Sequence, residues 1–250
     1  MSGDADIARI SALIGEPSRA RVLMALADGR ALPAGVLADE AGVSASTISE
    51  HLRMLLDAHL VDVERQGRTR RYRLAGPPVA EALEAIARIA PPEPVRSLRQ
   101  GTHAHAIRRA RTCYNHLAGR LGVALMAALV RDGVLIGAHR PGPAADRLAA
   151  PGRNVDYRLT RCGLATLDGL GVDLEALRGR RAPVRYCLDW SEQRHHLAGP
   201  LGTALTDRLF AMGWIRRTGR RRVVLLTDAG RAGIGRLGVP DDWDGSASAS

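Results

Sequence analysis

Apolar residues at Ile7, Ile10, Leu13 and Ile14 recur at helical spacing, so the chain opens with an amphipathic helix. Gly15 stops it. Pro17 then stands where the first turn of a second helix accepts proline, and Val22, Leu23 and Leu26 form that helix's apolar face before Gly29 ends it. Leu32 to Ala41 reads as a short third helix with Val36 and Leu37 inward and Gly42 behind it. Ser44 is a natural N-cap for a fourth helix. There Ile48, Leu52, Leu55 and Leu56 make one stripe, while Ser46, Ser49, Glu50, His51 and Arg53 fall on the other face. Short helices, a glycine-containing turn and a following helix with a small, polar leading face predict a helix-turn-helix. The period then changes. Leu60 to Leu74 reads as two strands around a Gln66-Gly67 turn, crowded with Arg65, Arg68, Arg70, Arg71 and Arg73, which is a basic wing suited to phosphates or the minor groove. Val79, Leu83, Ile86 and Ala90 give one more helical stripe.

Three segments resemble the ArsR-type (arsenic-repressor-like) winged-helix regulators. They are Gly15-Glu16-Pro17-Ser18-Arg19-Ala20-Arg21-Val22-Leu23, the run from Val43-Ser44 to Ser49-Glu50-His51-Leu52-Arg53-Met54-Leu55, and Gly67-Arg68-Thr69-Arg70-Arg71-Tyr72-Arg73-Leu74. The resemblance covers about residues 4–90. It implies a homodimer built from the first and last helices of this domain, with two recognition helices on a pseudo-palindromic operator. It also implies that Ser46, Thr47, Ser49 and His51 face bases and phosphates and that Arg68, Arg70 and Arg71 lie on the wing; Ser44 and Arg53 complete the expected DNA-contacting set. The family's metal sensors carry Cys-x-Cys in the third helix, where this chain reads Leu32-Pro33-Ala34-Gly35-Val36-Leu37, and its post-wing helix lacks His and Asp. Those metal sites therefore do not transfer.

Pro77, Pro78, Pro91, Pro92 and Pro94 bracket the post-wing helix, and beyond them the chain repeats itself. His116-Leu-Ala-Gly-Arg-Leu-Gly-Val-Ala-Leu returns as His196-Leu-Ala-Gly-Pro-Leu-Gly-Thr-Ala-Leu, and ten of twenty positions agree as far as Leu135 and Ile215. The stripe Leu117, Leu121, Leu125, Leu129 matches Leu197, Leu201, Leu205, Leu209. Downstream, Leu159-Thr160-x-x-Gly163 returns as Leu226-Thr227-x-x-Gly230. Each copy reads as helix, hairpin, helix, like the back half of another winged helix. The first copy's hairpin, with Pro141, Pro143 and Pro151, reads as a loop. The expected organisation is an ArsR-like winged helix at 1–90, a basic linker helix at 91–111, winged-helix-like repeats at 112–172 and 173–239, and a disordered tail at 240–250. The fold class is mainly α with small β-hairpin wings.

Composition narrows the chemistry. The 250 residues carry 36 basic side chains, all arginine, against 26 acidic ones, for a net charge of +10. That permanent positive field favours an anionic partner, with double-stranded DNA foremost. Aromatics at 3% argue against a base-stacking RNA platform. No run of 18 apolar residues or signal peptide occurs, so no membrane partner is expected and the chain reads as cytoplasmic. Cys113, Cys162 and Cys187 are odd in number and widely spaced, which suits reduced thiols.

Cys113 and His116, three apart and read as sharing a helical face, and the group Cys187, Asp189, His195, His196 offer two readings. One is a zinc-like metal site of Cys113, His116, Cys187 and either His195 or His196, formed if the repeat has a pseudo-twofold axis. The other is a thiol switch, with Arg111 activating Cys113 and Cys187 resolving it. The alternative to both is that the cysteines are small buried hydrophobes and the histidines cap helix starts. Trp190, Trp214 and Tyr114 are candidates for lining an apolar pocket between the repeats. Arg216, Arg217, Arg220, Arg221 and Arg222 form a second basic hairpin, either a phosphate contact or a solvated tip. Nothing supplies an oxyanion loop or a phosphate-binding glycine loop, so an enzyme is not expected. The reading is a sequence-specific DNA-binding transcriptional regulator, taken as a repressor, with a C-terminal effector or assembly region answering to a small molecule, a metal or a thiol oxidant. The reading from another class is a non-specific architectural DNA binder.

Overall fold

A computed structural model describes residues 4–139, 155–180, 182–219 and 222–244. The chain divides into two compact units, residues 1–87 and 88–250.

The first unit runs α1 (Ile7–Ile14), α2 (Pro17–Leu26), β1 (Leu32–Pro33), α3 (Ala34–Ala41), α4 (Ala45–Asp57), β2 (Val61–Gln66), β3 (Thr69–Leu74) and α5 (Pro77–Ile89). Glu16 caps α2 by accepting from the backbone N–H groups of Ser18 and Arg19 at 3.0 and 2.7 Å, with Pro17 in the first turn. Ser44 caps α4 by accepting from Thr47 N–H at 3.2 Å. The core holds Val22, Leu23 and Leu26 of α2, Leu37 of α3, and Ile48, Leu52 and Leu55 of α4, but Val36, expected inward, is 39% exposed, and Leu56 is only half-buried. The three strands form an antiparallel sheet in the order β1–β3–β2, so Leu32 and Pro33 pair with the wing instead of opening the third helix. Proline lacks the N–H that a strand interior uses, and it sits here at a sheet edge.

The second unit contains α6 (Leu98–Arg109), then two copies of one motif. The first is β4 (Arg111–Cys113), β5 (His116–Ala118), α7 (Gly119–Arg131), β6 (Leu135–His139), β7 (Val155–Leu159) and α8 (Arg161–Gly169). The second follows a 3-10 turn at Glu175–Leu177 and comprises β8 (Arg185–Leu188), β9 (His195–Ala198), α9 (Gly199–Ala211), β10 (Ile215–Arg217), β11 (Val224–Leu226) and α10 (Asp228–Arg236). The copies agree in detail. Thr160 and Thr227 each cap the last helix, accepting from Gly163 and Gly230 N–H at 2.8 and 2.9 Å. Each threonine hydroxyl also donates to the carbonyl of the glycine after the preceding helix, Gly133 or Gly213.

Several expectations are corrected. Each copy begins with a two-stranded hairpin that the leucine periodicity hid, because His116-Leu117-Ala118 and His196-Leu197-Ala198 are strands and the helices start at Gly119 and Gly199. Cys113 and His116 therefore lie across a hairpin and not along a helix. Arg111 lies in β4, beyond the helix expected to contain it. The acidic start of the tail is packed: Asp244 pairs with Arg109 at 2.6 Å, and the Arg109 guanidinium lies 5.3 Å from the Trp243 ring centre. The proline-rich hairpin loop and residues 245–250 lie outside the described residues.

The copies pack reciprocally, α7 on β9 and α9 on β5, around one leucine core. Two glycines permit it. A Cβ on Gly122 would stand 2.5 Å from the Leu117 carbonyl oxygen and 3.5 Å from His196 Cβ; on Gly202 it would stand 2.8 Å from the Leu197 carbonyl and 3.3 Å from His116 Cβ. Either Gly122→Ala or Gly202→Ala is expected to destabilise the protein by roughly 1–3 kcal/mol through overpacking. Gly235→Ala, which faces open space on α10, is expected to be neutral or stabilising by up to about 1 kcal/mol. Urea unfolding of the three variants checks this, and equal stability of all three would contradict the close approach.

Candidate functional site

In the first unit, burying Ile48, Leu52 and Leu55 turns the opposite face of α4 to solvent. Ser46, Thr47, Ser49, Glu50 and Arg53 are exposed there. The Ser44 hydroxyl lies 2.9 Å from both the Ser46 and Thr47 hydroxyls, and Ser49 donates back to the Ala45 carbonyl at 2.8 Å. Arg53 is held on this face by Glu50 at 2.6 Å and Asp57 at 3.1 Å. These are surface pairs that water already weakens, so exchange for another anion costs little. On the wing, Arg65, Arg68 and Arg70 are exposed.

Two expected contact residues are placed differently. His51 is turned inward: its side chain is 13% exposed, with Nε2 3.6 Å from Glu16 Oε2. One helical position after Glu50 carries it off the outer face towards the start of α2. Arg71 is half-buried and ties the wing down, its Nε donating to the Ala31 carbonyl at 3.1 Å and Nη1 to Gln66 Oε1 at 2.6 Å.

In the second unit, strand register assembles a different group. Cys113 pairs with His116 across β4–β5, and Cys187 pairs with His196 across β8–β9. Residues directly opposite on antiparallel strands project to the same face, so each hairpin presents one thiol and one imidazole together. The two faces meet. The His116 and His196 ring centres are 5.1 Å apart, and one ligand atom from each of Cys113, His116, Cys187 and His196 lies within 4.8 Å of all the others. Cys113, His116 and His196 are buried and Cys187 is partly exposed. Nε2 of His116 is buried with no hydrogen-bond partner among the described residues.

Asp189, fully buried, backs this group. Its Oδ2 accepts from Gly119 N–H at 2.7 Å and lies 3.0 Å from Arg111 Nη2 and 3.3 Å from His196 Nδ1. Its Oδ1 accepts from the Ser191 N–H and hydroxyl at 2.9 and 2.8 Å. Burial alone would raise its carboxyl, but the hydrogen bond with His196 and the Arg111 charge hold it well below the usual carboxylate range. Burial likewise opposes charge on His196, yet Asp189 and the adjacent Cys113 sulfur push its imidazole up to about 9. Arg111 is fully buried, also donates to Ser191 Oγ at 3.3 Å, and lies 4.7 Å from the Trp190 ring centre. Its charge faces the Asp189 carboxylate in a fully buried pair.

The structure therefore brings together the expected Cys113, His116, Cys187 and His196. His195 is directed elsewhere, with Nδ1 2.8 Å from the Tyr157 hydroxyl and its ring stacked on Tyr186 at 4.1 Å. A cleft of about 470 Å³ lies beside it, with Val123, Met126, Tyr157, Leu188 and Arg194 in its walls. Trp190, Trp214 and Tyr114 do not line this cleft. The second basic hairpin is also corrected. Arg222 is buried, and its Nε donates to the Thr112 carbonyl at 3.1 Å while its own carbonyl accepts from Thr112 N–H at 2.9 Å. Arg216 and Arg217 are exposed, the latter 4.8 Å from the Phe210 ring centre; Arg220 and Arg221 lie outside the described residues. Sequence reasoning overlooked the motif that would have revealed the hairpins. Arg111-Thr112-Cys113 and Arg185-Tyr186-Cys187 share Arg-x-Cys ahead of His-Leu-Ala-Gly, at a different offset because the second turn is longer.

A helix-turn-helix domain family matches residues 14–64. The chain is 40% identical over 229 residues to the uncharacterised HTH-type transcriptional regulator YdfF of Bacillus subtilis (strain 168), covering 90% of this chain and 94% of that protein. It is 37% identical over 83 residues to the HTH-type transcriptional regulator CmtR of Mycobacterium tuberculosis (strain ATCC 25618 / H37Rv), covering 33% of this chain and 70% of that protein. Among solved structures, the cadmium metal-sensor CmtR from Mycobacterium tuberculosis is 34% identical, with 37% of this chain and all of that chain covered at a TM-score of 0.30.

The Arg111–Asp189 pair is expected to matter for stability because both charges are out of water. Arg111→Met, which strands the carboxylate, should cost roughly 3–5 kcal/mol, and Arg111→Met with Asp189→Asn should recover part of that loss. Chemical denaturation of both variants reads this; a single variant as stable as the parent would contradict the pairing.

Proposed function

The chain belongs to the helix-turn-helix transcriptional regulators, ArsR-like in its first unit, and from that premise we propose that it binds a pseudo-palindromic operator as a homodimer in the cytoplasm. The observation that carries the reading is the pairing of an exposed small-polar face on α4 with a wing that exposes Arg65, Arg68 and Arg70. Thr47 and Ser46, at the helix start, are the residues for base edges. The wing arginines take phosphates, which supply affinity without sequence preference. The dimer reading is supported by α1 and α5. No residue of α1 is buried, Ile7 is 72% exposed, and Ile86 and Ile89 are 42% and 85% exposed on α5. Apolar residues at helical spacing left open to water suit a second copy.

The second unit is the effector unit in this reading, and its Cys/His group is where a zinc-like ion acts. An ion is favoured over thiol oxidation by the donor set. Four donors of a soft-metal set converge within 4.8 Å of one another, and two of them are imidazoles that a disulfide would not need.

Arg68→Ala with Arg70→Ala is expected to weaken binding to operator and unrelated DNA alike and to lower the salt slope by roughly 2, about one per phosphate contact. Thr47→Ala is expected to erode the operator preference by about 1–3 kcal/mol with little change on unrelated DNA. Fluorescence anisotropy across a salt series separates the two, and an unchanged slope in the double variant would remove the wing from the interface. Ile7→Glu with Ile86→Glu is expected to yield a monomer by light scattering and to lower operator affinity; a dimer of undiminished affinity would overturn the assignment of the dimer surface.

A further inference from the structure

We propose that Cys113, His116, Cys187 and His196 form a four-coordinate site for a single borderline-soft divalent cation of the zinc type, and that this ion clasps the two duplicated halves of the second unit together. The proposal rests on reading that unit as the effector unit. It adds the coordination geometry and what the ion does there.

The donor set is the first argument. Two thiolates and two imidazoles suit zinc, cadmium or cobalt and disfavour magnesium or calcium, which take oxygen. Distance is the second. Ligand atoms around a tetrahedral zinc stand roughly 3.3–3.8 Å apart, given metal–ligand bonds of about 2.0–2.3 Å. The four atoms here lie within 4.8 Å of one another, so closure needs a shift of only about 1 Å. Third, the buried Nε2 of His116 has no hydrogen-bond partner among the described residues, a costly arrangement unless something occupies the space before it.

An outer shell is already in place. His196 Nδ1 faces the Asp189 carboxylate at 3.3 Å. A histidine that directs one ring nitrogen to a carboxylate presents the other to a metal in a fixed orientation. Coordination would send the two thiol protons, and any second imidazole proton, to solvent, leaving a site of two thiolates and one dication with no net charge. The symmetry supplies the function. Each hairpin gives one cysteine and one histidine from equivalent ladder positions, so neither half can hold the ion alone with four ligands. Occupancy therefore fixes β4–β5 against β8–β9.

The test uses full-length, reduced protein stripped with a chelator and titrated with Co²⁺. One equivalent per chain is expected, with intense tetrahedral ligand-field bands and thiolate charge transfer, displaced by Zn²⁺. Cys187→Ser and His116→Ala should each weaken Co²⁺ binding by at least ~10-fold and alter the spectrum. Cys162→Ser, at an exposed position of α8, should change neither. Hydrogen exchange of the unmodified protein should slow in both hairpins when Zn²⁺ is added, which needs no variant to fold. Octahedral bands, a spectrum indifferent to Cys187→Ser, or protection of one hairpin alone would overturn the site. Operator binding measured on the same samples separates the two readings. A tetrahedral site whose filling leaves DNA binding unchanged keeps the clasp and removes the metal response. A metal response that survives with ligands elsewhere does the reverse.

Discussion

A buried carboxylate governs the second unit. Asp189 has no access to water, and a charge so placed persists only if it is paired and fully hydrogen-bonded. Its partners come from separate places in the chain: Gly119 at the start of α7 and Ser191 in the turn after β8 donate hydrogen bonds, and Arg111 in β4 and His196 in β9 stand at ion-pair distance. Satisfying one side chain thus fixes the two hairpins, one helix start and a turn relative to each other. The leucine core is non-directional and tolerates small shifts; the carboxylate does not. It sets the register in which Cys113 and His116 meet Cys187 and His196.

The two halves are alike where packing demands it and different where the charge sits. Gly122 and Gly202 answer each other across the pseudo-twofold, as do the threonine caps of α8 and α10. The arginines that open β4 and β8 hold equivalent ladder positions, opposite Ala118 and Ala198, yet Arg111 is fully buried and Arg185 is exposed. The long turn of the second hairpin accounts for this. It carries Asp189 back onto the first half, where its carboxylate pairs with Arg111. One turn insertion therefore converts a symmetric pair of hairpins into a polarised site.

Much of the first unit was legible because helical spacing, proline and serine caps and an alternating arginine-rich hairpin all act locally. The orientation of His51 and Arg71 was not, since it depends on Glu16 and Ala31, which are distant in sequence. In the second unit the repeated leucines read as one helix from Leu117 onward. Leu117 fits the stripe by number, but Gly119 has φ 75°, outside the helical range, so the helix begins there and the preceding residues pair as strands. The four candidate ligands were identified from residue chemistry and the repeat alone. Their common face was invisible, because a Cys–His separation of three in one hairpin and nine in the other share no spacing until the strand ladder is known. The role of Asp189 was hidden for the same reason.

The same ladder bears on whether the second unit simply enlarges a DNA footprint. A wing that lies on phosphates must expose its arginines on a free edge. Here the return strand of the second hairpin is annexed by the first half. Val224 N–H donates to the Ala110 carbonyl, Thr112 N–H donates to the Arg222 carbonyl, and the Arg222 guanidinium turns inward to the Thr112 carbonyl. Arg222 sits at φ 59°, a conformation that a non-glycine residue holds only when its surroundings impose it. That strand therefore serves internal cohesion, and its edge is the neighbour of the segment that carries Cys113. The basic hairpin thus secures the hairpin beside it through Arg222, while Arg216 and Arg217 on its other strand stay exposed.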